Sequence, residues 1–226
     1  MRCRGCLGAL GVEAQAGLCG PCWSGLVPLG EDRCPRCALP HTWGEPCPEP
    51  VAWAAGDALW DYRGGRPPLG SLLVPAIKRG ELGWKAALLG RAARAHLPAF
   101  AWAADLVCSA PTAPFRRWRR GFDLAEETGR LFARRMDKPW RPLLRKPWFA
   151  RAQTGLPEGA RRRLGRAAVA PARALSQGDL AGAGVLLVDD VWTTGTTLLR
   201  CAQALARGGA GCVWVLTLFR ACKRPR

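Results

Sequence analysis

Three stretches of this chain are apolar without polar alternation: 106–111 (Leu-Val-Cys-Ser-Ala-Pro), 185–188 (Val-Leu-Leu-Val) and 212–219 (Cys-Val-Trp-Val-Leu-Thr-Leu-Phe). Runs of this length and character predict strands buried on both faces. Residues 57–62 predict a further strand at a sheet edge, followed by the turn Arg63-Gly64-Gly65-Arg66. Between the strands the period changes to that of a helix. Residues 69–78 predict a short helix closed by Lys78-Arg79-Gly80, and 82–97 predict a longer one, with Leu82, Ala86, Leu89 and Ala93 on one face. Asp123 followed by Glu126 has the spacing of a capping box and begins a helix carrying Leu124, Thr128, Leu131 and Phe132 on one face. A last helix is predicted over 198–207. The chain therefore contains repeated strand–loop–helix units of an α/β fold.

The unit at 185–197 carries the most chemistry. Its apolar run ends in Asp189-Asp190, and Val191-Trp192-Thr193-Thr194-Gly195-Thr196-Thr197 follows. Ligands of open α/β sheets sit beyond the carboxyl ends of the strands. Two carboxylates placed there can accept hydrogen bonds from sugar hydroxyls or meet a hydrated Mg2+. Hydroxyls and backbone N–H groups at the start of the next helix suit a phosphate. Acids first and phosphate cradle second match a ribose 5-phosphate lying along the loop. A core strand and a capped helix alone would explain the Val/Leu run and one threonine. They would not explain adjacent acids and four threonines around a glycine. No Gly-Lys-Ser/Thr follows, so the loop is not a P-loop.

A second strand–loop–helix unit has cations where the first has acids. Between Pro111 and Asp123 lie Arg116, Arg117, Trp118, Arg119, Arg120, Gly121 and Phe122. Guanidinium forks fit phosphate oxygens, so this loop can hold a pyrophosphate. It also reads as a solvated basic surface or, through Trp118 and Phe122, as a stacking platform for single-stranded nucleic acid. A third basic segment, 143–166, includes Arg145, Lys146, Arg151, Gln153 and Arg161 among prolines and glycines. It reads either as an arginine lid over a charged ligand or as an irregular crossing.

Charge is unevenly spread. Of the net +17, residues 1–50 contribute −1, with four bases against five acids; the remaining 30 bases and 12 acids leave 51–226 at +18. A field of that sign attracts polyanions, either nucleic acid or a multiply charged small molecule. The apolar stretches are far shorter than the roughly 18 residues of a membrane span. The N-terminal residues lack the apolar core of a signal peptide, so a cytoplasmic location is expected.

In that compartment eleven cysteines argue for metal ligands and buried thiols rather than disulfides. Cys3-x2-Cys6, Cys19-x2-Cys22 and Cys34-x2-Cys37 occupy the first 37 residues, in turns that aim paired thiolates at one ion. Cys3, Cys6, Cys19 and Cys22 form the natural Zn2+ site. Cys34, Cys37 and Cys47 offer three ligands for a second, with Pro50 standing where a fourth cysteine would fall and His41 available instead. A pairing of Cys19, Cys22, Cys34 and Cys37 is the alternative. So short a segment builds little core, and metal binding is expected to supply its folding energy. Its near-neutral charge favours a structural or docking role.

The 185–197 stretch closely resembles the phosphoribosyl-pyrophosphate (PRPP) loop of type I phosphoribosyltransferases. With it, nearly the whole chain resembles the ComF family of double zinc-ribbon, phosphoribosyltransferase-like proteins. The matching features are the front cysteine pairs, Tyr62, Lys78-Arg79-Gly80, Pro111 onward through Arg119-Arg120-Gly121-Phe122, Leu144-Arg145, Gln153-Thr154-Gly155-Leu156, Arg161 and the Asp189-Asp190 loop. Departures fall at Pro50, where a cysteine is expected, and at Asp123, where asparagine is usual.

The resemblance implies a type I phosphoribosyltransferase-like parallel sheet flanked by helices (51–226), preceded by a zinc-ribbon module (1–50). It implies PRPP with Mg2+ as ligand. Asp189 and Asp190 would hold the ribose, Thr193, Thr194, Gly195, Thr196 and Thr197 the 5-phosphate, and Arg116, Arg119, Arg120 and Lys78 the pyrophosphate or DNA phosphates. It also implies a part in natural competence, with single-stranded DNA and other competence or recombination proteins as partners. Two functions remain open on the sequence: phosphoribosyl transfer to an unidentified acceptor, or a non-catalytic PRPP-sensing or single-strand-binding module.

Overall fold

A computed structural model describes residues 1–11, 14–41, 44–146, 170–171 and 180–222. Its centre is a four-stranded, wholly parallel sheet. The strands are β1 (Ala55–Asp61), β2 (Leu106–Ser109), β5 (Gly184–Trp192) and β6 (Cys212–Arg220), in the spatial order β1-β6-β5-β2. The short β3 (Leu144–Arg145) and β4 (Ala170–Pro171) pair antiparallel beside it. The helices are α1 (Gly20–Ser24), α2 (Leu69–Lys78), α3 (Leu82–Ala92), α4 (Ala99–Trp102), α5 (Pro114–Arg120), α6 (Leu124–Met136) and α7 (Thr196–Arg207).

The unbroken apolar runs have their cause in helices on both faces. Leu186 and Val188 of β5 join Phe132, Leu73 and Leu88 in a core built from α2, α3 and α6. Val185 and Leu187, pointing the other way, join Leu198, Cys201 and Leu205 of α7. Cys108 and Cys201 are buried small core residues, while Cys212 is only half-buried.

Several expected boundaries move. The helix predicted over 82–97 ends at Ala92, before Pro98. The expected loop at 116–122 is largely helix: Pro114 opens α5 at a position where a missing N–H costs nothing, and Gly121 stops it with φ +73°. Asp123 caps α6 by accepting from Ala125 N (3.1 Å) and Glu126 N (3.5 Å). Glu126 turns instead to Arg117 (2.5 Å) and Arg130 (3.0 Å). The run at 185–188 does not end at the acids, because β6 supplies ladder partners as far as Val191–Phe219 and Trp192–Arg220.

The cysteine-rich segment folds onto the open edge of β1. Asp61 N donates to Val27 O and Gly56 N to Pro35 O, each at 2.8 Å, and Pro28 bridges Trp60. The edge strand's exposed groups are thereby covered. The segment also shares both cores. Cys3, Leu18, Cys22, Trp23 and Leu26 join the α2/α3 side, and Cys37, Ala38 and Trp53 join the α7 side. Apolar burial thus adds to whatever a metal supplies. The basic segment beyond Lys146, with Arg151, Gln153 and Arg161, lies outside the described residues.

Candidate functional site

The carboxyl ends of β5 and β2 open into a cleft of about 740 Å3. Its floor is the acid pair. Asp189 stands opposite Thr217 of β6 in the ladder register, while Asp190 is 8% exposed. Each carboxylate folds back on the next amide: Asp190 N donates to Asp189 Oδ1 (2.8 Å) and Val191 N to Asp190 Oδ1 (3.0 Å). Burial, reinforced by the adjacent Asp190 charge, pushes the Asp189 carboxyl well above the usual carboxylate range. Lys78, closing α2, forms an ion pair with Asp190 across the cleft.

Beside the acids, the loop into α7 turns at Gly195, whose φ of +70° lies in the left-handed region. Thr193 and Thr197 line the cleft. Thr194 and Thr196 stand exposed at its rim, their hydroxyls 3.0 Å apart. No side chain caps α7, and no acid occupies its first turn, so the helix N-terminus remains available to an anion.

The opposite wall is cationic. Arg116, Arg119 and Arg120 of α5, Lys78 at the end of α2, Arg79 just beyond it, and Lys146 all line the cleft. Arg117 does not; it pairs with Glu126 behind the helix. The buried Nε of Arg120 has no hydrogen-bond partner among the described residues. The structure therefore brings the predicted acids, part of the threonine loop and all four predicted cations to one cleft. Arg79, Tyr62, Thr112 and Lys146 also line it, although spacing gave none of them a binding role.

The aromatic residues at the mouth differ from expectation. Trp118 is 78% exposed, but Phe122 is buried beneath the Lys85 ammonium, 4.4 Å from the ring centroid. The exposed partner of Trp118 is Phe115, one helical turn before it, with centroids 6.3 Å apart.

Away from the cleft, the cysteines gather into two clusters whose ligand atoms all lie within 4.8 Å of one another. Cys3, Cys6, Cys19 and Cys22 form the first. Its sulfurs stand 3.6 Å (Cys3–Cys22) and 3.7 Å (Cys6–Cys19) apart. With Zn–S bonds of about 2.3 Å, tetrahedral sulfurs lie roughly 3.8 Å apart, so the cluster fits Zn2+. Burial raises the Cys3 thiol, but N–H groups of Cys6, Cys19 and Gly5 outweigh it and bring the pKa down to about 6.

Cys34, Cys37 and Cys47 form the second cluster, and His41 completes it, with Nε2 3.2 Å from Cys37 Sγ. His41 thus stands where it could supply the fourth ligand that Pro50 does not offer. The alternative set of Cys19, Cys22, Cys34 and Cys37 is excluded, since its two pairs belong to separate clusters. Either cluster can hold a metal such as zinc. Among the described residues, no helix is long and apolar enough to cross a membrane.

Comparison with known proteins adds to this geometry. Residues 150–225 match the model of the phosphoribosyl transferase domain. The DNA utilization protein YhgH of Salmonella typhimurium is 31% identical over 215 residues, covering 90% of each chain. That of Escherichia coli O157:H7 is 29% identical, again over 215 residues and 90% of each. Among solved structures, the glutamine PRPP amidotransferase of B. subtilis, complexed with ADP and GMP, superposes with a TM-score of 0.41 at 21% identity. That match covers 61% of this chain and 27% of the amidotransferase.

Proposed function

Since the chain belongs to the ComF family, the family of the DNA utilization protein YhgH, we propose that its cleft binds PRPP with Mg2+ and serves DNA utilization by phosphoribosyl transfer. The observation that carries this reading is the convergence of three unlike surfaces on one cavity: an acid pair, an uncapped helix N-terminus with threonines, and a wall of arginines.

In this reading the ribose hydroxyls donate to Asp189 and Asp190, displacing Lys78 from Asp190. The 5-phosphate settles on residues 193–197, with Thr193 and Thr197 nearest. Arg116, Arg119, Arg120 and the released Lys78 take the pyrophosphate, and the unpartnered Arg120 Nε gains an acceptor. Mg2+ would supply charge neutralisation between the acids and the pyrophosphate. Transfer then breaks the bond from C1 to the pyrophosphate oxygen and forms one from C1 to an acceptor nucleophile, which gives up its proton. The protein's part is orientation, together with a fixed field that stabilises charge leaving with pyrophosphate.

A second reading rests on a separate observation. Phe115 and Trp118 form an exposed aromatic pair on a helix bearing four arginines at the cleft mouth. Stacked bases flanked by guanidinium groups are how single strands are held without sequence preference. The two ligands can share the protein, with the strand at the mouth and PRPP within.

Calorimetric titration of PRPP with Mg2+ into the wild type and an Asp189→Asn/Asp190→Asn variant tests the primary reading. Micromolar binding that the variant loses supports it. A zinc-loaded, folded wild type that does not bind PRPP refutes it.

A further inference from the structure

Arg220, the last residue of β6, is fully buried, yet its guanidinium touches no ligand cleft. It joins two other parts of the chain instead. Nε donates to Cys37 O at 3.1 Å, and Nη2 pairs with the Glu49 carboxylate at 2.7 Å. Both acceptors belong to the second thiolate knuckle and the chain leaving it. Nη1 donates to Trp192 O at 3.1 Å and also to Thr193 O. Those carbonyls begin the loop on which the candidate phosphate site is built.

A second strut runs alongside. Trp53 Nε1 donates to Arg36 O at 2.6 Å, and its ring meets Trp192 edge-on at 5.2 Å. The Arg220 guanidinium lies 4.4 Å from the Trp192 ring centroid. The contact is close enough to require Gly56 between them: a Cβ there would stand 2.9 Å from Arg36 O and 3.0 Å from the Trp192 ring.

We propose that metal occupancy of the Cys34–Cys37–His41–Cys47 cluster sets the conformation of the 193–197 loop through Arg220, making PRPP binding metal-dependent. For its ligand this rests on the PRPP reading of the cleft. The physical reason is that the Arg220 guanidinium has no access to water, so its donors must be met by protein. An ion draws the knuckle closed and aims Cys37 O and Glu49 at the guanidinium. Without the ion the knuckle opens and those acceptors withdraw. Arg220 then shifts toward whatever acceptors remain, and the loop that shares its Nη1 spreads over several conformations. Apparent ligand affinity falls in proportion to the fraction still competent. The first cluster packs into the core on the other sheet face.

Three measurements on the full-length protein test this: metal count by native mass spectrometry, hydrogen exchange of the amides in 193–199, and calorimetry with PRPP and Mg2+. Cys47→Ser should bind one ion fewer; Glu49→Gln, a milder change that leaves every thiolate in place, should keep both. Each should speed exchange in the loop about tenfold and weaken PRPP binding about tenfold, as expected if the competent fraction falls to roughly a tenth. The double variant should be no worse than Cys47→Ser alone, because both act on one path. Unchanged loop exchange after loss of the second ion overturns the coupling, whatever PRPP does. Faster exchange in the variants of a protein that never binds PRPP would support the coupling and refute the PRPP reading instead.

Discussion

Replacing Gly195 with alanine places two costs on the candidate phosphate loop. A non-glycine residue in the left-handed region costs about 1–2 kcal/mol, and Gly195 sits there with φ +70°. A Cβ would also stand 3.0 Å from Trp192 Nε1. Trp192 is 1% exposed and held between Trp53 and Arg220, so it cannot retreat. Overpacking of this kind adds about 1–2 kcal/mol. The sum is roughly 2–4 kcal/mol, and for a chain of this length each kcal/mol moves the melting temperature by about 2–4 °C. Gly195→Ala should therefore melt about 4–16 °C below wild type and bind PRPP more weakly.

Gly90→Ala is the internal control. Gly90 lies within α3, and a Cβ there meets nothing within 4 Å. Alanine should gain about 0.5–1 kcal/mol of helix stability and raise the melting temperature by a few degrees. Gly195→Asn, which tolerates the left-handed region but keeps the Cβ contact, should fall between wild type and Gly195→Ala. Scanning calorimetry of metal-loaded protein reads all three. Gly195→Ala melting at or above wild type would refute the argument, as would both alanine variants moving in the same direction.

Asp189 has a carboxyl pKa above its unfolded value, so its contribution to stability is fully present below about pH 4 and is lost as pH rises through the higher folded value. Without ligand, Asp189→Asn should accordingly melt above wild type at pH 7.5, with the gap closing toward pH 4; a gap independent of pH, in melts run across that range, would argue against this origin. Cys22→Ser should lower the zinc count by one in elemental analysis, and loss of an ion bound at a thousandfold excess over its Kd should cost about 4 kcal/mol. Trp118→Ala should weaken binding of a fluorescent single-stranded oligonucleotide by about 1–3 kcal/mol in anisotropy titrations while leaving PRPP affinity unchanged. Equal oligonucleotide affinity would remove the stacking platform from consideration.

How much of this was legible in sequence follows from the range of the interactions involved. Asp189-Asp190 and the threonine loop declare themselves because strand, turn and helix N-terminus are consecutive, and one short segment contains the whole device. The Cys-x2-Cys knuckles are equally local. The pattern also places α2, α6 and β6 closely, since their periodicity is set by the faces they bury. The helix of α5 was harder to see, because none of its residues is buried and no apolar face marks it. That is also why Phe115, and not Phe122, proves to be the exposed aromatic: the two flank the same basic run, and only the turn at Gly121 sends one inward.

The sequence by itself determined the composition of the site, namely which acids, hydroxyls, thiolates and cations the molecule possesses and which stand together within a few residues. Tertiary structure decided what faces what. It put Lys78 on Asp190, His41 rather than residue 50 beside three thiolates, and the two cysteine clusters on opposite sides of the sheet. It also made Arg220, which the sequence shows only as one more arginine near a basic tail, the fully buried contact between a knuckle and a loop more than 140 residues apart. The physical reason is that hydrophobic periodicity reports burial against something apolar, whereas a buried charge is placed by its partners. Those partners, Cys37, Glu49, Trp192 and Thr193, become neighbours only when β1 and β6 pair and the cysteine segment closes over their edge.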